Sequence, residues 1–120
     1  MQRRAAGDGY RAAMLPLEIV DERADEVRAR LPVSDALRQP FGLVHGGVFA
    51  AIADRLTTGA GLRAISNQTS FLRPIVAGTI HARARRRHAG RTTRVWEVDI
   101  SDDAGRLCAL VRVTVAVLAL

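Results

Sequence analysis

The sequence predicts an α+β domain in which one long helix is wrapped by an antiparallel sheet. Three observations predict it. A run from about Gly46 to about Thr58 is apolar nearly all the way round, with six consecutive apolar side chains from Val48 to Ala53. Two segments in the second half alternate apolar and charged residues with a period of two. Short Gly-containing connections, "AGR" and "DAG", separate the later strand-like segments as hairpin turns do.

Residues 1–13 read as a loose or helical arm, and residues 14–120 as a single domain. "LPLEIV" and "DEVRARLPV" read as two short strands. In the second, Val27, Ala29 and Leu31 alternate with Glu26, Arg28 and Arg30, and Asp21 to Ala24 would be the turn between the strands. "SDALRQPFGLVHGG" is a loop, punctuated by Pro40 and Gly42. The helix follows, and Gly59 and Gly61 end it. "ISNQTSF" is a weak strand, polar on both faces, and Pro74 ends it. "TIHARARRRH" places Ile80, Ala82 and Ala84 on one face, and "TTRVWEVDIS" does the same with Trp96, Val98 and Ile100. "LCALVRVTVAVL" is long and mostly apolar. The order is β-β-α-β-β-β-β.

Composition narrows the function. At 120 residues and 48% apolar the chain suits one globular domain. Aromatic residues are only 4%, so the core is thin and oligomerisation is expected. The single cysteine, Cys108, excludes an internal disulfide and reads as a small buried residue. His45, His81 and His88 lack metal-ligand spacing, so no metal is expected. The basic N-terminus has no continuous apolar stretch after it, which argues against a signal peptide or a membrane span. A cytoplasmic protein without a membrane partner is expected.

The net charge of +6 comes from a chain whose cations are all Arg. Its densest stretch, "HARARRRHAGRTTR", invites a nucleic-acid reading. With Ala89-Gly90-Arg91 as the turn, Arg83 falls opposite Glu97 and His81 opposite Asp99, which makes much of the stretch a neutralised outer face. Arg86, Arg87, Arg91 and Arg94 are left without an obvious partner and are suited to phosphates. Interleaved aromatics are missing, since Trp96 points to the apolar face. No nucleic-acid partner is expected.

Asp54 is the charge that breaks the apolar helix. It can be a surface residue paired with Arg55 or Arg63, or the N-cap of a second short helix, "RLTTGA". A functional reading looks at its neighbours. Gly46 and Gly47 stand at the helix N-terminus, where amides are unpaired and the dipole is positive. Such an end suits an oxygen that becomes an anion. Thr58 follows Asp54 by one turn and is placed to orient it or to hold a water. An acid, a water holder and an oxyanion donor together suggest acyl-transfer hydrolysis. Eight residues separate Gly46 from Asp54, about 12 Å along a helix. One carbonyl cannot touch both, so the chemistry predicts two antiparallel copies of the helix in a twofold dimer.

"RQPFGLVHGGVFAAIAD", with "SFLRPIVAG", "AGRTTRVWEVDISDDAGRLCA" and "VRVTVAV", resembles the hotdog-fold acyl-CoA thioesterases of the PaaI / 4-hydroxybenzoyl-CoA type. The resemblance covers about residues 15–117. It implies the hotdog fold, hydrolysis of an acyl- or aryl-CoA, a homodimer or a dimer of dimers, and no cofactor beyond the CoA of the substrate. It implies Asp54 as nucleophile or general base, Gly46 as the amide that polarises the carbonyl, and Gln39 as the side chain that orients carbonyl or water. His45 matches the motif histidine and Thr58 the hydroxyl after the acid. Gly47, with Gly90, Arg91 and Thr92, matches CoA-contacting positions. Arg55, the shortened "TTGAGLRAISN" connection and the polar "SNQTSF" depart from the family pattern. They leave a non-catalytic hotdog module, binding an acyl-CoA or a protein partner, as the alternative. A hotdog hydratase would need a His and an acid at another spacing, which the chain lacks.

Overall fold

A computed structural model describes residues 15–118. The arm read at residues 1–13 lies outside the described residues. Six strands and one helix follow in the expected order. Strands β1 (Glu18–Glu22) and β2 (Glu26–Pro32) precede helix α1 (Gly46–Thr57). Strands β3 (Leu62–Phe71), β4 (Thr79–Ala89), β5 (Thr93–Ser101) and β6 (Leu107–Val117) come after it. They form one antiparallel sheet in the order β1-β2-β4-β5-β6-β3, and α1 packs on one face of it. This is the α+β hotdog arrangement expected above.

The alternation patterns set the inner face. Val27, Ala29 and Leu31 of β2, Ile80, Ala82 and Ala84 of β4, and Trp96, Val98 and Ile100 of β5 are all buried. Strand β6 adds Val111, Val113 and Val115. Against them α1 buries Val48, Phe49, Ala51, Ile52, Ala53, Leu56 and Thr57. The helix has no free choice of face, because its apolar residues nearly encircle it. One stripe stays less covered: Gly47, Ala50 and Asp54, spaced i, i+3, i+7. Cys108 is buried, as its apolar surroundings suggested, and burial pushes its thiol pKa up.

Three expectations need correction. The β1–β2 turn is shorter than Asp21 to Ala24, because β1 runs on to Glu22. The β4–β5 register is also displaced. Arg83 stands opposite Asp99 and His81 opposite Ser101, since the turn spans 90–92 and a bulge falls between Arg86 and His88. The charges still neutralise, with different partners: Arg83 bonds Glu26 of β2, Arg85 bonds Asp99, and His81 bonds Asp103. Arg87, read as unpartnered, lies 3.5 Å from Glu97. Third, the weak "ISNQTSF" segment belongs to a ten-residue strand. Long apolar β6 supplies the ladder that the polar sequence of β3 does not demand by itself.

Candidate active site

Helix α1 carries the candidate residues at its two ends. At its start, His45 is the N-cap residue, with its amide bonded to the Leu37 carbonyl (2.8 Å). Gly46 and Gly47 are the first helical residues, and neither amide donates a main-chain bond within the described residues. The loop before them is fixed rather than loose. The Gln39 amide donates to Leu43 (2.6 Å), Gly42 turns back onto Gln39 with φ of 91°, and Val44 donates to Ile75 (2.9 Å). Only glycine adopts that φ at Gly42 without strain.

This loop, the helix start and the segment after β3 enclose an open cleft of about 600 Å³. Gln39, Leu43, Val44, Gly46, Phe49 and Phe71 line it, joined by Leu72, Arg73 and Pro74. The sequence reading thus brought Gln39 and Gly46 to one site. It did not assign Phe71 or Arg73, although "FLRP" was legible as part of the resemblance. Phe71 is 62% exposed, and its ring lies so close to Gly46 that an added Cβ would stand 2.6 Å from it. Glycine here serves close approach.

The other end holds Asp54 and Thr58. Asp54 is half-buried in the less covered stripe, and its carboxylate makes no hydrogen bond or ion pair with another described residue. It is paired with neither Arg55 nor Arg63. Nor does it cap a second helix, since α1 runs unbroken to Thr57. The Arg55 guanidinium bonds the Leu15 carbonyl (2.6 Å), tying the start of the described chain across the helix. Thr58 differs from its expected place. The helix ends before it, its backbone is extended, and its hydroxyl donates to the main-chain carbonyl of Asp54 (2.7 Å). That carbonyl also accepts the Thr58 amide (3.1 Å), so the residue closes the last turn with both its main-chain and its side-chain donor.

Gly90, Arg91 and Thr92 form the β4–β5 turn. They lie near the Asp54 end, because Val117 of β6 donates to Thr92 and Leu118 to Gly61. Arg86, Arg91 and Arg94 make no ion pair with another described residue. Between the two ends, Asn67 of β3 donates to the Ala50 carbonyl (3.1 Å) and accepts from Thr69 (3.0 Å). These two polar residues take the inner face of β3, so the Ala50–Asp54 side of the helix borders an edge strand open to solvent. Among the described residues no three His, Cys, Asp or Glu side chains converge on a metal site. No described helix is long and apolar enough to cross a membrane.

Comparison with known proteins agrees with this geometry. The family model described as "Thioesterase superfamily" matches residues 41–109, which include α1 and every residue that lines the cleft except Gln39. The proofreading thioesterase EntH of Klebsiella pneumoniae is 32% identical, over 95% of this chain and 90% of that protein. The 1,4-dihydroxy-2-naphthoyl-CoA hydrolase of Escherichia coli is 28% identical over the same shares. A solved thioesterase from Haemophilus influenzae superimposes with a TM-score of 0.80 at 32% identity, covering 88% of this chain and 80% of that one.

Proposed function

The chain belongs to the thioesterase superfamily, a thioester hydrolase by that membership, and on this premise we propose that it cleaves an acyl- or aryl-CoA at a site shared by two copies. The reading rests above all on one observation. Asp54 and the Gly46 amide, which donates no main-chain bond within the described residues, lie eight residues apart on one helix, about 12 Å along its axis. A second copy running antiparallel brings its Asp54 to this chain's Gly46.

In that arrangement the Gly46 amide, at the positive end of the helix, donates to the thioester oxygen and holds the charge that develops there. Gln39 orients the carbonyl from the cleft wall. Asp54 of the other copy takes the proton of the attacking water as general base, or attacks as nucleophile to give an anhydride that water then opens. Either way the C–S bond breaks, CoA leaves as thiolate and takes up a proton, and the acid is released. Thr58 positions Asp54 by closing its turn, and its oxygen has lone pairs left to accept from the water. His45 sets the helix start. Gly47 with Gly90, Arg91 and Thr92 meets the CoA, whose phosphates suit the arginines that make no ion pair with another described residue. The seam between copies follows β3, whose outer edge pairs with no described strand and which borders the Asp54 side of α1. The assembly is a homodimer, or two such dimers together.

Thiol release from aryl-, short- and medium-chain acyl-CoAs, wild type beside Asp54→Asn, tests the reading. Turnover in the wild type alone supports it. Equal turnover in both proteins removes Asp54 from the mechanism. Tight binding without thiol release selects the non-catalytic module.

A further inference from the structure

We propose that the acyl group accepted by this chain carries an anionic substituent on an apolar body, and that Arg73 selects it. The inference rests on the thioesterase reading, because it takes the Gly46 amide as the place of the acyl carbonyl. The cleft beside that amide, about 600 Å³, is of the size that encloses a small organic group. Its walls are mostly apolar: Leu43, Val44, Phe49, Phe71, Leu72 and Pro74. That composition favours an apolar body with room for a ring.

The polar side chains in the lining are Gln39 and Arg73, and no Asp or Glu lines the cleft. Most arginines among the described residues pair with a carboxylate, as Arg30 does with Glu18 and Arg106 with Asp102. Arg73 makes no ion pair with another described residue. Its base is nevertheless fixed. The Leu72 and Arg73 amides both donate to the Cys108 carbonyl, at 2.9 and 3.0 Å, and Pro74 follows. A planar guanidinium on a pinned main chain, at the rim of an apolar cleft, is complementary to a carboxylate or phenolate held in that cleft. In the shared site a second copy brings its β4–β5 turn to this end of α1, so the test must separate selection of the acyl group by Arg73 from a contact with the CoA phosphates.

The test uses 4-carboxybenzoyl-CoA and 4-methylbenzoyl-CoA, similar in shape and different in charge. Binding is measured in the Asp54→Asn background, where turnover does not consume the probe, and kcat/KM in the native background. The carboxyl compound is expected to be preferred about tenfold or more. Arg73→Gln brings the ratio near one, and Arg73→Lys keeps part of it. A ratio near one with Arg73 in place overturns the proposal. So does a preference that Arg73→Gln leaves unchanged, including the case in which both compounds weaken equally because Arg73 meets the CoA phosphates. A preference in binding that depends on Arg73, with no thiol released by the Asp54 protein, would sink the thioesterase reading and keep the selection by Arg73.

Discussion

The two ends of helix α1 are built on opposite principles. At the start the candidate groups are backbone: the Gly46 and Gly47 amides donate no main-chain bond within the described residues, and mostly apolar walls from the 39–44 loop and from Phe71 to Pro74 stand around them. At the finish, side chains carry it. Asp54 stands half-buried with no partner among the described residues, Thr58 caps the turn, and cations gather on the β4–β5 hairpin. The contrast is what the proposed function rests on, because it reads each end as one half of a site shared by two copies. Neither end has both an acid and an oxyanion donor.

The strongest way to break this comparison is to remove the acid. Asp54→Asn should lower kcat by roughly 10²–10⁴-fold, the usual worth of a positioned general base, with circular dichroism unchanged. A smaller loss would mean that the helix finish is not a catalytic half. Mixing two defective chains sharpens the point. Gly46→Val puts a branched side chain into the Phe71 ring and blocks the start, while Asp54→Asn disables the finish. Co-refolded in equal amounts, half of the dimers are mixed and each holds one intact site, so about a quarter of native activity should return. No recovery would place both halves in one chain and refute the shared site.

Smaller effects separate the roles at the helix finish. Arg91→Ala removes one cation from the exposed turn. It should raise KM for a CoA thioester by up to about fivefold, more at low salt, with kcat little changed. An unchanged KM would take the turn out of CoA binding. Thr58→Val deletes the hydroxyl that caps Asp54. Denaturant unfolding should show a loss of about 1 kcal/mol, while kcat falls by less than the loss in Asp54→Asn. A large fall in kcat at unchanged stability would assign the hydroxyl to the water instead of to the turn.

Much of the fold was legible because period and burial coincide. Trp96, Val98 and Ile100 alternate with charges in the sequence and all three are buried. Their neighbours on β4 behave alike. Strand β3 was poorly legible for the converse reason. Asn67 and Thr69 take the inner face of an edge strand, where one bonds the Ala50 carbonyl and no apolar residue is required. The β4–β5 register escaped because a bulge at Arg87 leaves no mark in an alternating Arg-rich run. At the site, Gly46 and Asp54 stood out as a glycine pair before an apolar run and a charge within it. Phe71 and Arg73 did not, because they lie more than twenty residues away and reach Gly46 only once β3 has crossed the sheet.

The sequence by itself determined the elements, their order and the half-buried carboxylate. Local periodicity fixes which side chains share a face, and an apolar helix interrupted by the adjacent charges Asp54 and Arg55 leaves that side uncovered. Tertiary structure alone decided the partners. It chose Glu26 for Arg83, the Asp54 carbonyl for the Thr58 hydroxyl, Leu15 for Arg55, and the Phe71–Pro74 wall for the cleft at Gly46. Such pairings depend on strand register, on bulges and on the path between distant segments, and none of these is encoded in the spacing of neighbours along the chain.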